Sequence, residues 1–110
     1  MPKAKSSTLQ LPRELTYRQA RECLLSLRPL VVEYAGQQVP VDASAVKVFD
    51  SSALAVLLAC RRAALAAGKQ LQITGLPKGL RSMAALYGVQ ELLLPAEDGD
   101  SELKRSSNAD

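Results

Sequence analysis

An aspartate and two serines stand directly before the most apolar stretch of this chain, and this boundary constrains the fold more than any other feature. Asp50-Ser51-Ser52 precedes a run of Leu, Val and Ala residues whose most apolar part extends from Ala53 to Cys60. Asp and Ser are favoured N-cap residues because a side-chain oxygen accepts hydrogen bonds from the free N–H groups of a helix start. Gly68 is typical of a helix end, so a helix is predicted over residues 52–67.

Helical and extended patterns alternate along the rest of the chain. Strands are predicted at residues 8–11, 38–41 and 71–74. Two further helices are predicted, one after Thr16 as N-cap and one from Pro77 to Gly88, and a short apolar segment over residues 89–94 follows. Strands that alternate with helices are typical of an α/β fold. We expect a small mixed or parallel sheet with helices packed on it.

Two prolines conflict with this pattern. Pro29 interrupts the helix that begins at Tyr17, because proline lacks an N–H and clashes with the preceding turn. We expect a kinked or broken helix that ends near Gly36, with a strand over residues 30–34 as the alternative. Pro40 cannot donate the hydrogen bond that a central strand requires.

The helical periodicity also predicts which side chains enter the core. On the first helix the stripe contains Tyr17, Ala20, Leu24 and Leu27, and on the central helix it contains Leu54, Leu57, Leu58, the stem of Arg61, and Leu65. Cys23 and Cys60 lie within these helices. We interpret them as small buried hydrophobes, because their spacing matches neither a zinc site nor a redox pair.

Length and composition are typical of one small domain. The chain has 110 residues, of which 47% are hydrophobic but only 4% aromatic, so the core is built from Leu, Val, Ile and Ala. The domain is expected over residues 8–95. The polar residues 1–7 and the charged residues 96–110 are expected to be disordered.

The residue types that are absent exclude several kinds of enzyme. The sequence has no histidine, which excludes triads and metal sites that need an imidazole. It also has neither the Gly-x-Ser-x-Gly elbow of hydrolases nor a Gly-rich phosphate loop that ends in Lys-Ser or Lys-Thr. We therefore expect a protein that is not an enzyme and that uses no cofactor.

Charge and hydropathy limit the classes of partner. The net charge is only +3, and the basic residues are scattered rather than clustered, so no nucleic-acid partner is expected. The longest apolar stretch is too short to span a bilayer, and no apolar signal segment follows Met1. A cytoplasmic location without membrane insertion is expected.

Four residues are candidates for a partner-binding or phosphorylation site: Asp50, Ser51, Ser52 and Tyr87. A helix start gathers unpaired N–H groups and the positive end of the helix dipole, so it stabilises an anion or a phosphoserine. An ordinary helix cap is the simpler explanation of the Asp-Ser-Ser segment, because such caps are common. Tyr87 belongs to an apolar pattern that either packs in the core or docks on a partner.

Three segments of the chain resemble the STAS domain, which anti-sigma-factor antagonists share with the tails of sulfate transporters. They are residues 42–46 (DASAV), 49–54 (FDSSAL) and 68–75 (GKQLQITG). Residues 86–89 (LYGV), followed by residues 91–95 (ELLLP), look more specifically like the MlaB-like members of this family. These members are the STAS subunits of a bacterial phospholipid transporter.

This resemblance implies an accessory subunit without enzymatic activity. It would bind the cytoplasmic ATPase of a phospholipid-transporting ABC complex, support the assembly and activity of that ATPase, and lie peripheral to the inner membrane through the complex. In MlaB-like subunits, the hydroxyl residue that matches Ser51 lies in the contact with the ATPase. Ala53 stands where the family often has Gly, and Ala suits a helix better.

The same resemblance leaves two alternatives. In the anti-sigma-factor antagonists, the serine that matches Ser52 is phosphorylated and the aspartate that matches Asp50 supports it, which implies a phosphorylation-switched antagonist. The other alternative is a STAS module that binds a nucleotide or another anion at the same helix start. The sequence leaves homodimerisation open.

Overall fold

A computed structural model describes residues 8–93 and contains five short strands and four helices in that range. The strands are β1 (Leu9–Gln10), β2 (Glu14–Leu15), β3 (Gln38–Asp42), β4 (Val48–Phe49) and β5 (Gln70–Thr74). The helices are α1 (Tyr17–Val32), α2 (Ser51–Ala66), α3 (Lys78–Leu86) and α4 (Gln90–Leu93). The predictions for residues 1–7 and 94–110 lie outside the described residues.

Every strand pair of the described residues is parallel, which confirms the predicted α/β class. β3 lies between β1 and β5, while β2 and β4 form a separate two-stranded ladder that was not predicted. One residue after β2 the chain enters α1, and one residue after β4 it enters α2. Because β2 pairs with β4, α1 and α2 begin next to each other. The two helices also pack extensively against each other. No helix within residues 8–93 is long and apolar enough to cross a bilayer.

The core consists of apolar side chains, and α2 contributes the largest share of it. Within residues 8–93, no polar or charged residue is buried. Leu54 and Leu57 are buried as predicted, but Leu65 is 47% exposed, so the predicted stripe is wrong at its C-terminal end. The buried face of α2 instead follows a second row of mostly small residues, which are Ala53, Val56, Cys60 and Ala64. A prediction weighted towards leucine missed this row.

Helix α1 continues through Pro29 and ends at Val32. The expected end near Gly36 and the alternative strand over residues 30–34 are therefore both wrong. Pro29 is exposed, whereas Leu27 and Val31 on the opposite side are buried. Proline cannot donate the backbone hydrogen bond of a helical turn. The helix continues through Pro29 because the packing of the Leu27 and Val31 side chains stabilises it.

The C-terminal end of α1 is tied to the chain that follows α2. The Lys69 ammonium donates hydrogen bonds of 2.5 Å to the carbonyl oxygens of Val32 and Tyr34. The last carbonyl groups of a helix have no partner within the helix, and the dipole favours a cation beside them. Lys69 therefore caps a helix that lies more than 30 residues earlier in the chain.

Pro40 lies in the middle strand β3, and the direction of the hydrogen bonds explains why proline is tolerated there. The Ala43 N–H donates to Thr74 on the β5 side, while the Asp42 carbonyl oxygen accepts from Leu11 on the β1 side. Because orientation alternates along a strand, Pro40 faces the β1 side, as Asp42 does. β1 pairs with β3 only from the residue after Pro40, so the missing N–H removes no bond of that ladder.

The two leucines of α2 with opposite exposure give a direct test of this core. Leu57 is fully buried, and Leu57→Ala should lower the free energy of unfolding by about 2–5 kcal/mol, because the substitution leaves a cavity. Leu65→Ala should change it by about 0.5 kcal/mol or less, because that side chain is largely in solvent. Urea denaturation followed by circular dichroism measures both values. Equal losses would show that α2 does not pack as described.

Candidate functional site at a shared helix start

The Asp50 carboxylate binds the starts of two helices at once. Its Oδ1 atom accepts a hydrogen bond of 2.8 Å from the Ser52 N–H of α2. Its Oδ2 atom accepts one of 3.1 Å from the N–H of Tyr17, the first residue of α1. The first N–H groups of a helix have no partner within the helix. One side chain therefore caps its own helix and a neighbouring one that begins 33 residues earlier.

The charge of Asp50 is favoured in this position. Desolvation would raise the pKa of Asp50, but hydrogen bonds from the backbone N–H groups of Ser52 and Tyr17 and from the Ser52 hydroxyl outweigh it, so the pKa lies below its ordinary value. Each helix start also carries a partial positive charge that favours a carboxylate. Asp50 therefore remains ionised at neutral pH.

The start of α1 has a second, local cap. The Thr16 hydroxyl oxygen accepts a hydrogen bond from the Arg18 N–H, and the Gln19 side chain accepts one of 2.8 Å from the Thr16 N–H. This reciprocal pair is a capping box and confirms Thr16 as the predicted N-cap. The position of α1 relative to Asp50 is thus fixed both locally and through the long-range contact.

The two serines differ in exposure. Ser51, the first residue of α2, is exposed, whereas Ser52 is half-buried and directs its N–H towards Asp50. A group that approaches from solvent therefore meets Ser51 before Ser52. The structure brings Asp50, Ser51 and Ser52 together at one corner of the domain.

Two exposed apolar side chains adjoin this corner. Tyr17 is 68% exposed and Val48 is 45% exposed. Tyr17 was predicted to lie on the buried stripe of α1, which is wrong, because its position at the first turn places the ring outside the helix–helix contact. The Arg18 guanidinium lies 5.7 Å from the centre of the Tyr17 ring, within the range of a cation–π contact.

Two glycines allow neighbouring segments of the chain to pack closely against each other. Gly75 has φ of +70°, and a Cβ atom there would lie 2.9 Å from the Ser44 Cβ. A Cβ atom on Gly79, in the first turn of α3, would lie 2.8 Å from the Phe49 ring. The backbone conformation at Gly75 favours glycine, whereas a side chain at Gly79 would force the Phe49 ring to shift. The start of α3 therefore packs directly behind the residue that precedes Asp50.

Tyr87 lies apart from the other candidates. It follows the last residue of α3, while the Asp50 corner lies near the first turn of that helix. About 12 Å of helix separates Gly79 from Tyr87 at 1.5 Å per residue. Tyr87 is 56% exposed and its neighbour Leu86 is 80% exposed. Of the two interpretations of Tyr87, the structure excludes core packing and leaves an exposed side chain.

The remaining ionisable and sulfur-bearing groups suggest little chemistry. Burial, together with the nearby Cys23, raises the pKa of Cys60 to about 11, and burial also raises the pKa of Cys23. Both thiols are therefore protonated and weakly nucleophilic at neutral pH. Within residues 8–93, no group of three or more His, Cys, Asp and Glu side chains is arranged to hold a metal ion.

Comparison with known proteins assigns the family of this chain. A family model described as "Mlab, STAS domain" matches residues 3–95. This match covers both the sheet and the corner formed by Asp50, Ser51 and Ser52. A comparison with curated proteins found no match.

Replacing Asp50 by Asn should destabilise the protein at neutral pH and have less effect in acid. The folded-state pKa of Asp50 is lowered, so the charge contributes stability above the ordinary pKa of about 3.9. That contribution is lost as the pH falls through the lowered pKa. Urea midpoints of the wild type and of Asp50→Asn should differ clearly at pH ~7, and the difference should be smaller at pH ~3, below the ordinary pKa. Glu22→Gln, which removes an exposed charge from α1, should show little difference at either pH. A deficit of Asp50→Asn that is the same at both pH values would contradict the role of the charge.

Proposed function

Because the chain belongs to the family of MlaB-like STAS domains, we propose that it is a non-enzymatic accessory subunit that binds the cytoplasmic ATPase of a phospholipid-transporting ABC complex. In this role it supports the assembly and activity of the ATPase. One observation carries the proposal: Ser51 is exposed at a helix start that Asp50 holds in place.

The surface around Ser51 has the composition of a protein interface. Tyr17, whose backbone N–H binds Asp50, and Val48, two residues before Asp50, supply exposed apolar area near this helix start. Tyrosine is enriched among the residues that dominate binding energy. The caps on both helices fix the surface before a partner arrives, which reduces the entropy that binding must overcome. Tyr87 offers a second exposed aromatic group at the far end of α3.

The hydrogen bonds of Asp50 favour a role in binding rather than in catalysis. Both oxygens of Asp50 accept backbone hydrogen bonds, so this carboxylate is poorly placed to act as a general base for Ser51. The sequence contains no histidine to take that part. The subunit lies at the cytoplasmic face of the inner membrane through its complex with the ATPase and the permease.

A negative charge at Ser51 should break the interface without unfolding the domain. Ser51→Glu places a carboxylate at an exposed position in the first turn of α2, where water solvates it, so the domain should remain folded. The added charge and bulk should reduce recovery of the ATPase at least tenfold when the tagged protein is isolated from cells that express the complex. The partners are identified by mass spectrometry.

Ser26→Glu is the matched control, since Ser26 is also an exposed serine of a helix but lies on α1 away from this corner. It should leave the recovery of the ATPase unchanged. Circular dichroism spectra of both variants should match that of the wild type. Full recovery of the ATPase with Ser51→Glu, or no ATPase with the wild-type protein, would refute the proposed interface.

A second candidate function is that of a phosphorylation-switched anti-sigma-factor antagonist, with Ser52 as the modified residue. The contact between Ser52 and Asp50 favours it as a switch. A phosphate adds about 1.5–2 negative charges directly beside the Asp50 carboxylate. Modification of Ser52 would therefore disturb the cap that joins α1 to α2.

This candidate predicts a phosphorylated form in the cell and a different partner. Intact-mass spectrometry of the protein isolated from its native cells should show one phosphate, and peptide fragmentation should place it on Ser52. The isolated complex should contain a kinase-like anti-sigma factor in place of an ATPase. An unmodified protein that is recovered with an ATPase would eliminate this candidate and support the first.

A further inference from the structure

A groove between the C-terminal halves of α1 and α2 lies on a surface distinct from the Asp50 corner. Arg28 and Val32 of α1 and Arg62 of α2 line it, together with four alanines of α2 and its C-terminal end, Ala59, Ala63, Ala66 and Ala67. Its volume of about 540 Å³ falls within the range of binding pockets, roughly 300–1,000 Å³. Both arginines are exposed, one on each helix. None of the described residues that line this groove is acidic.

The charges of the chain are divided in a way that matches this groove. Residues 1–93 contain twelve basic and six acidic side chains, whereas residues 94–110 contain two basic and five acidic ones. Four of the acidic side chains fall in the segment 97–102 (Glu-Asp-Gly-Asp-Ser-Glu), which contains no basic residue. The chain therefore carries an acidic segment opposite in charge to the groove.

The acidic segment is long enough to reach the groove. Helix α4 ends at Leu93 and packs against α2. Helix α2 has 16 residues and is about 24 Å long at 1.5 Å per residue. An extended chain spans about 3.3 Å per residue, so the nine residues from Leu93 to Glu102 span about 30 Å. Glu97, four residues after Leu93, can lie only about 13 Å from it, so the far end of the segment, rather than all of it, can span the length of α2.

We propose that residues 97–102 bind in this groove of the same chain, with their carboxylates against Arg28 and Arg62. Each exposed ion pair is weak by itself, but a covalently attached segment has an effective concentration in the millimolar range. A second copy of the domain is a poorer occupant, because a two-fold contact through this groove would bring together four arginines, two from each copy, with no acidic lining residue to balance them. The inference stands apart from the proposed function, since it needs neither the ATPase nor Ser51.

Nuclear magnetic resonance of the full chain tests the proposal directly. The comparison variant neutralises the segment through Glu97→Gln, Asp98→Asn, Asp100→Asn and Glu102→Gln. Backbone amide resonances that line the groove, such as those of Val32, Arg62 and Ala66, should shift between the wild type and this variant. The shifts should disappear on going from ~0.01 M to ~1 M salt, since the Debye length then falls from about 30 Å to about 3 Å.

A charge exchange provides the specific control. In an Arg62→Glu background, neutralising the segment should no longer shift the amide resonances of the groove. Adding Glu97→Lys, Asp98→Lys and Asp100→Lys to Arg62→Glu reverses both charges and should restore the shifts of the groove amides. Arg81→Glu changes an exposed arginine of α3 that does not line this groove, and it should leave the effect intact.

Three results would overturn the proposal. The first is that neutralising the segment shifts no amide of the groove. The second is that the shifts persist in Arg62→Glu. The third is that they grow with protein concentration, which would make a second copy the occupant. The readout is independent of transport and of ATPase binding, so failure here leaves the proposed function unaffected.

Discussion

The position of the candidate site depends on one carboxylate that caps two helices. A serine or threonine cap offers a single oxygen, whereas the two oxygens of Asp50 accept hydrogen bonds from Ser52 in α2 and from Tyr17 in α1. The β2–β4 ladder brings both helix starts within reach of this side chain, because each strand leads into its helix after one residue. Ser51 is therefore held in a fixed position relative to α1 as well as α2.

The opposite ends of the same two helices are joined by a charge of opposite sign. Lys69, which follows α2, donates to the carbonyl groups at the end of α1, so an anion before α2 and a cation after it hold α1 at both ends. Both contacts agree with the helix dipole, and together they require α1 and α2 to run parallel. The small side chains along α2, such as Ala59, Ala63 and Ala66, leave the shallow groove between the two helices.

The helix caps, a helix end and the fold class could be predicted from the sequence, whereas contacts between residues far apart in the chain could not. The caps at Thr16 and Asp50, the helix end at Gly68 and the parallel α/β class follow from residue preferences and periodicity. The contact between Asp50 and Tyr17 joins residues 33 positions apart, so no sequence pattern could reveal it. The two-residue strands β2 and β4 are too short to show alternation.

The errors in side-chain burial have a similar origin. Periodicity identifies an apolar face but does not say which part of it a neighbouring element covers. Tyr17 and Leu65 both lie at helix ends, beyond the helix contacts that bury the middle of each stripe, and both are exposed. The sequence shows that Pro40 lacks a hydrogen-bond donor. Only the register between β1 and β3 shows that β1 does not extend to Pro40, so that no hydrogen bond of this ladder is lost.

The charge balance at the Asp50 corner favours a protein contact there over an anion. Each helix start carries about half a positive charge, so two of them roughly balance the single negative charge of the carboxylate. A nucleotide or phosphate that arrives at Ser51 would find this positive potential already neutralised and would lie beside an ionised Asp50. The exposed hydroxyl and the side chains of Tyr17 and Val48 instead form a partly apolar surface of the kind that a protein partner covers, with the Arg18 guanidinium against the Tyr17 ring. Two further exposed arginines, Arg28 and Arg62, lie farther along the same helices in a groove without an acidic lining residue, so the two ends of the α1–α2 pair favour partners of different chemistry.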